Sequence, residues 1–184
     1  MSDSAQIIVD IDATESDAER LATKVVKHMV ARGIVAAGLS DCALSGDGHA
    51  PGPSAAGVVN ATASECKRAF ALGANGLAVS TERQVFHTVE NGVELRCDKC
   101  KVTFEPDEKY EAAAENWFDG NEKARFACPT CKQELLVKEW DGPFVLGLGS
   151  LGFEFNNWPP LKPEFVSEIA ALLGHRVRVV QQHI

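Results

Sequence analysis

The chain has 184 residues, which suffices for one domain or for one domain that carries a smaller insert. Its hydrophobic content of 45% supports a packed core, and no apolar run approaches the roughly 20 residues of a membrane-spanning helix. The 18 Lys+Arg against 26 Asp+Glu give a net charge of −8, which disfavours nucleic acid and favours a protein, above all a basic one, or a small molecule as partner.

The opening of the chain predicts a strand–helix–strand unit. Residues 7–11 form a short apolar run suited to a buried strand, and residues 34–39 can form a second one. Between them, residues 15–32 carry apolar side chains at three- and four-residue spacing, which is typical of an amphipathic helix that ends at Gly33. Residues 45–57 are dense in glycine and proline and therefore predict a loop.

The middle of the chain predicts a short helix and then a hairpin. Residues 61–72 suit the helix, which Gly73 would end. In residues 84–97, two strand-like segments flank Asn91 and Gly92, the pair that most readily adopts the positive φ angles of a type I′ turn. This predicted hairpin leads directly into the first pair of cysteines.

The end of the chain repeats the order of its beginning. Residues 144–148 predict a strand, and residues 162–173 predict a helix with Pro163 in its first turn and Gly174 at its end. Residues 176–182 alternate apolar and polar side chains, as a final strand does. Two strand–helix–strand units can share one sheet, as in ferredoxin-like folds.

Four of the six cysteines form two CxxC pairs, Cys97 with Cys100 and Cys128 with Cys131. Two intervening residues let both thiolates of a pair reach one ion, and the tight turn points backbone N–H groups at the sulfurs. A thioredoxin-type motif has a single pair, and disulfides belong to exported proteins. Iron or an iron–sulfur cluster is the chemical alternative, but four thiolates in tetrahedral geometry favour zinc.

The spacing of the pairs, with strands entering and leaving them, resembles a zinc ribbon over residues 95–138. Four thiolates leave no open position for water, so we predict a single structural Zn²⁺ without a catalytic role. Residues 97–140 contain seven Lys or Arg and ten Asp or Glu, a difference of −3. Many zinc ribbons bind nucleic acid, but this charge would repel phosphate.

Together these patterns predict an α+β fold with two strand–helix–strand units, compatible with a ferredoxin-like arrangement, and an inserted hairpin and Cys₄ zinc ribbon. In this prediction, residues 1–94 and 141–184 form one α+β domain. Residues 95–140 form the inserted zinc-ribbon module.

A second candidate site lies in residues 153–161. Here Glu154, Asn156, Asn157 and Trp158 stand beside two prolines, and a tryptophan with neighbouring amides on a stiff segment is typical of a ligand pocket or an interface. We predict partner binding by these four residues. The alternative is that the aromatic side chains belong to the core and the asparagines cap turns.

Two further patterns are weaker. Residues 147–152 match GxGxxG, but no helix follows whose N-terminus would hold a pyrophosphate, so the pattern predicts a close-packed turn. In or beside the glycine-rich loop, Cys42 and His49 offer the residue types of a nucleophile and its base. Loops of this composition are more often mobile than catalytic.

These observations favour a non-enzymatic protein-binding module with a structural zinc site. One version is an inhibitor or immunity-type protein that covers a basic toxin or enzyme, because acidic proteins of this kind cap cationic active sites. The alternatives are a small-molecule enzyme with a pocket near residues 154–158 and a zinc-ribbon nucleic-acid binder. The polar N-terminus lacks the features of a signal peptide, so we expect a cytoplasmic protein without membrane contact.

Overall fold

The computed structural model describes residues 3–184 and has a mixed α+β fold, which confirms the predicted class. The helices are α1 (Glu15–Ala31), α2 (Ala63–Ala69), α3 (Glu108–Phe118) and α4 (Pro163–Leu173). The strands are β1 (Ser4–Asp10), β2 (Val35–Ala43), β3 (Gly46–Pro51), β4 (Leu77–Ser80), β5 (Gln84–Phe86), β6 (Glu94–Arg96), β7 (Thr103–Phe104), β8 (Arg125–Ala127), β9 (Glu134–Leu136), β10 (Asp141–Phe144), β11 (Gly147–Gly149), β12 (Leu151–Asn156) and β13 (Val177–His183). Within residues 3–184, no helix has the length and apolar character needed to cross a membrane.

The largest sheet has six strands in the order β13-β1-β12-β4-β3-β2, and each neighbouring pair is antiparallel. The first predicted strand–helix–strand unit corresponds to β1–α1–β2. The last unit is β12–α4–β13, so its first strand is Leu151–Asn156 and not the predicted residues 144–148, which fall at the end of β10 and in β11. Because β1 lies between β12 and β13, the first and last units of the chain share this sheet. The ferredoxin-like arrangement itself stays a prediction.

One face of the large sheet packs against α1 and α4 and forms the main core. On α1, Leu21, Val25 and Met29 are buried at three- to four-residue spacing, as the sequence pattern predicted. They join Ile8 of β1 and Phe153 of β12 in one apolar cluster. Full burial of one such side chain contributes about 1.5–3 kcal/mol, so this face holds the helices on the sheet.

A second core surrounds α3 and the cysteine pairs. Three small sheets contribute to this part of the chain: β10-β6-β7, β11-β5 and β8-β9. Tyr110 and Trp117 of α3 are buried in this core, and the Phe126 ring lies 5.2 Å from Tyr110 and 5.6 Å from Trp140. The cluster also includes Leu148, which lies outside the predicted insert of residues 95–140. The division of the chain into an α+β domain and a zinc-ribbon insert stays a prediction.

The opposite face of the large sheet packs against β5 and β11. A small cluster of Ile7, Val9, Ile11, Phe86 and Val180 fills this junction. The GxGxxG residues lie in β11 and β12 at this junction. A Cβ added to Gly152 would lie 2.4 Å from Phe86 Cζ, and a Cβ added to Gly149 would lie 2.5 Å from the Asp10 carbonyl oxygen. These glycines therefore permit a close approach of chains, as the close-packed reading of the motif predicts.

The two strands predicted to form a hairpin in residues 84–97 pair with other partners instead. Strand β5 pairs with β11, while β6 pairs with β7 and β10. The segment between them binds β13: Val89 forms a bridge with His183, and Asn91 Nδ2 donates to the Gln181 carbonyl oxygen at 2.9 Å. These long-range bonds override the local turn preference of Asn91-Gly92, so the hairpin prediction was wrong.

The glycine-rich segment of residues 45–57 also differs from the predicted loop. Residues Gly46–Pro51 form β3, which pairs with β2, and residues Ala55–Val58 form a 3₁₀ helix. A Cβ on Gly48 would lie 2.9 Å from the Leu77 carbonyl oxygen of β4. Glycine is therefore required here by the close neighbouring strand and does not mark a loop.

Candidate metal centre

The structure brings the four cysteines of the two CxxC pairs together, although 27 residues separate the pairs. Their Sγ atoms all lie within 4.8 Å of one another. Cys97 Sγ is 3.6 Å from Cys131 Sγ, and Cys100 Sγ is 3.8 Å from Cys128 Sγ. A tetrahedral ion with Zn–S bonds of about 2.3 Å places its ligands about 3.8 Å apart, so these sulfurs can hold one metal ion.

The two knuckles have the same backbone geometry. In each knuckle, the backbone N–H of the first cysteine donates to the carbonyl oxygen of the residue five positions later. The N–H of the residue four positions later donates to the carbonyl oxygen of that first cysteine. The bonds are Cys97 N to Val102 O (2.9 Å), Lys101 N to Cys97 O (2.8 Å), Cys128 N to Gln133 O (2.9 Å) and Lys132 N to Cys128 O (3.0 Å). This repeated turn orients both cysteines of each pair toward the common centre.

Each knuckle contains a lysine with an unusual backbone conformation. Lys101 has φ of 62° and Lys132 has φ of 59°, values that residues with a Cβ seldom adopt. Both lysines directly follow the second cysteine of a pair. Neither lysine was among the site residues predicted from the sequence, although their equivalent positions after the two pairs were the available signal.

Short strands and a helix hold the two knuckles in place. The first knuckle connects β6 with β7, and the second connects β8 with β9. Between them, α3 buries Tyr110 against Phe126, and Asp107 caps the helix by accepting from the Lys109 N–H at 3.2 Å. This helix occupies much of the 27-residue gap between the two pairs of cysteines.

The ligands differ in exposure. Cys97 and Cys128 are fully buried, Cys131 is half-buried and Cys100 is exposed. Cys97 Sγ also lies 3.6 Å from Gln133 Oε1. If the Gln133 amide is turned so that its NH₂ group takes the place of Oε1, this group donates to the Cys97 thiolate and orients it.

The electrostatics of the cluster favour a bound cation. Burial raises the pKa of Cys128, but N–H groups of Cys131 and Thr130 outweigh it and lower this pKa to about 6. The Val102 N–H favours the Cys100 thiolate, yet desolvation and the other three sulfurs raise the pKa of Cys100 to about 11. Four adjacent thiolates repel one another, and a divalent cation offsets this repulsion.

The structure places two of the four predicted partner-binding residues, Asn156 and Trp158, in the core. Trp158 is only 4% exposed, packs edge-on against Phe155 and Phe70, and donates from Nε1 to the Asn75 carbonyl oxygen at 2.6 Å. Asn156 is fully buried and donates from Nδ2 to the Gly76 carbonyl oxygen at 3.0 Å. These contacts are those expected of core residues that also satisfy buried polar groups.

The remaining two residues of this segment are less buried. Asn157 accepts from the Ser4 N–H at 3.0 Å and donates to the Ala74 carbonyl oxygen at 2.8 Å. Glu154 is half-buried on β12, and burial raises its pKa. A cavity of about 460 Å³ adjoins Asn157 and Trp158, and partner binding by Glu154, Asn156, Asn157 and Trp158 stays a prediction.

Cys42 and His49 lie on the paired strands β2 and β3. The Cys42 thiol donates to the Gly48 carbonyl oxygen at 3.4 Å, and His49 Nδ1 lies 2.9 Å from the Ala36 carbonyl oxygen. Each side chain therefore has a backbone partner of its own, and the nucleophile–base pairing has no support from these contacts.

Comparison with known proteins leaves the site to be interpreted from its own geometry. No protein-family model, curated protein or solved structure matches this chain. The arrangement of four sulfurs on two equivalent knuckles is therefore the strongest indication of function.

Proposed function

We propose that the protein is a non-enzymatic protein-binding module in which Cys97, Cys100, Cys128 and Cys131 hold one structural Zn²⁺ in a zinc ribbon. The observation that supports this is the set of four sulfurs within 4.8 Å of one another. Four thiolates complete a tetrahedral shell and leave no position for a reacting water. The ion joins two chain segments that lie on either side of α3, which is a scaffolding role.

Charge supports a basic protein as the partner. The net charge of −8 accelerates encounter with a cationic surface and opposes binding of nucleic acid. An inhibitor or immunity-type protein that covers a basic toxin or enzyme in the cytoplasm fits this balance. The strand order β13-β1-β12, with α1 and α4 on one face, supports a ferredoxin-like scaffold for such a module, in which β4 and β3 lie between β12 and β2.

Metal analysis tests the zinc assignment. Protein purified without added metal is expected to contain one zinc per chain by elemental analysis. The Cys100→Ser variant is expected to contain less zinc per chain. Cys66→Ala removes a cysteine of the main core and serves as the control, because it leaves the four sulfurs intact. Iron in place of zinc, or an equal loss of zinc in both variants, would contradict the assignment.

Binding experiments test the module itself. The zinc-loaded chain, immobilised and exposed to a native lysate, is expected to retain a basic protein that elevated salt releases. The same capture with chelator-treated protein is the control. Retention of nucleic acid in a low-salt mobility shift, or turnover that is lost when Asn157 and Trp158 are changed, would support the alternatives instead.

A further inference from the structure

A groove made of two adjoining cavities lies beside α3 and the second core. Two adjoining cavities of about 570 Å³ and 460 Å³ share His87, Glu111 and Leu146 in their linings. We call this feature the α3 groove. One of its walls is the exposed side of α3 with Glu111 and Glu115, and its floor includes Leu146, which is buried.

The charge of the α3 groove has a single sign. Its lining includes five carboxylates, and among the lining residues described there is neither a lysine nor an arginine. These carboxylates are Glu94, Glu105, Glu111, Glu115 and Asp119. Within residues 3–184 none of the five forms an ion pair. Nearby Glu122, in contrast, pairs with both Arg83 and Lys138.

The carboxylates of α3 are placed unfavourably for the helix itself. Glu111, Glu115 and Asp119 recur at four-residue spacing, so like charges lie next to one another on one side of the helix. Glu115 and Asp119 are also near the C-terminal end, where the helix dipole disfavours negative charge, and the last turn has no basic residue of its own. Arg83 caps carbonyls at this end but pairs with Glu122 and with neither of these two carboxylates. This row of charge weakens α3, and a cationic ligand would offset the repulsion.

The α3 groove also exposes apolar side chains. Four large hydrophobic residues are exposed in the described part of the chain, and two of them, Phe118 at 50% and Val89 at 49%, line this groove. Val89 has φ of 55°, which is rare for a β-branched residue, and its contact with His183 of β13 holds it there. Both cavities therefore contain an exposed apolar side chain and unpaired carboxylates, which suits a ligand that is both cationic and apolar.

We propose that the α3 groove docks a basic, partly apolar segment of the partner protein. This inference rests on the protein-binding function proposed above and assigns the contact surface for it. Lysine or arginine side chains of the segment pair with Glu111, Glu115 and Asp119, while its apolar side chains cover Phe118 and Val89. Charge complementarity selects this occupant over an acidic or purely apolar one.

A peptide-binding measurement tests the groove directly. The probe is a short fluorescein-labelled peptide of alternating lysine and leucine, titrated with the zinc-loaded full-length protein and followed by fluorescence anisotropy. We expect Glu111→Gln/Glu115→Gln and Phe118→Ser each to weaken binding by about tenfold or more. Amide resonances of Val89 and Phe118 are expected to shift when the peptide is added. Unchanged zinc content and circular dichroism show that a variant is folded.

Matched controls separate the groove from general attraction. Glu19→Gln/Glu134→Gln removes the same charge at exposed positions outside the groove, and Leu39→Ser removes an exposed apolar side chain on β2. Both are expected to change binding by less than about twofold. The inference is overturned if control and groove variants weaken binding equally, if a glutamate–leucine peptide binds as tightly, or if the lysine–leucine peptide does not bind.

Two further outcomes also decide against the groove. If the wild-type protein and the groove variants retain the same basic partner equally well, the groove assignment fails while the protein-binding function stands. If the chain dimerises in sedimentation and Phe118→Ser makes it monomeric without affecting peptide binding, a second copy of this chain is the occupant. Failure of the wild-type protein to retain any protein would instead contradict the proposed function.

Discussion

The guanidinium carbon of Arg83 lies 3.8 Å from the centre of the Trp117 ring. Arg83 also donates from Nε to the carbonyl oxygens of Trp117 and Phe118, each at 3.1 Å, and pairs through Nη1 with Glu122 at 2.6 Å. It therefore satisfies carbonyls at the C-terminal end of α3 and covers the face of a buried ring. Because Arg83 directly precedes β5, it ties the helix between the two knuckles to the strand that packs on the large sheet.

Replacement of Arg83 tests this connection. Arg83→Ala is expected to lower the free energy of unfolding by about 1–3 kcal/mol, because it removes a cation–π contact and a partly buried cap at once. Arg20→Ala, which removes only an exposed pair with Asp17, is the control and should cost less than about 1 kcal/mol. Urea unfolding measures both. Equal effects in the two variants would show that Arg83 acts as an ordinary surface residue.

Metal removal should affect the two cores differently. A strong zinc chelator is expected to unfold the knuckles, because four thiolates without a cation repel one another. The main core, built on Ile8 and Phe153, has its own apolar contacts and should retain its structure. Hydrogen exchange followed by mass spectrometry should show protection lost near Cys97 and Cys128 and kept in β1 and β12. Uniform loss, or no loss, would contradict a structural role for the metal.

Because Lys101 has a positive φ angle, the effect of a substitution there should depend on whether the new residue adopts this conformation without strain. Lys101→Val places a β-branched residue at positive φ and is expected to cost about 1–2 kcal/mol of stability and to weaken zinc retention. Lys101→Gly adopts this conformation without strain and should retain zinc at least as well as the wild type. Lys99→Val in the same knuckle is the matched control. Chelator competition measures retention, and equal behaviour of both Lys101 variants would refute the strain argument.

The pair of Asp12 and Arg176 should make stability depend on pH in the acid range. Two hydrogen bonds from the Arg176 side chain, at 2.7 and 2.9 Å, are the main cause that lowers the pKa of Asp12 from 3.8 to about 2. A lowered folded-state pKa stabilises the protein above the unfolded value, so this contribution is complete above about pH 4 and is lost as the pH falls toward 2.

Exposure to solvent limits how much the pair of Asp12 and Arg176 contributes to stability. Arg176 is more than half exposed, and screening reduces the contribution to about 1 kcal/mol at neutral pH. Asp12→Asn should be less stable than the wild type at pH 7 by that amount, and the difference should shrink between pH 4 and pH 2. Thermal unfolding across this range measures it. A difference that is constant with pH would exclude the ion pair as the cause.

Several features followed from residues close together in the sequence. The apolar spacing of residues 15–32 predicted the buried face of α1, and Gly174 ends α4 with φ of 78°, as its position indicated. The two CxxC pairs predicted their common centre, because metal ligation constrains residue type and spacing within each knuckle. Zinc as the metal, protein binding, the domain boundaries and the cytoplasmic location stay predictions.

Other features were decided only by the tertiary structure. Asn91-Gly92 has the local preference for a hairpin, but Asn91 itself and the nearby Val89 bind β13. The glycine-rich residues 46–51 form a strand because β2 and β4 lie beside them. The α3 groove joins Val89, Glu111 and Phe118, which no sequence pattern connects. A helix face or a metal knuckle depends on interactions within a few residues. Strand pairing and surface charge clusters depend on partners that only the folded chain brings together.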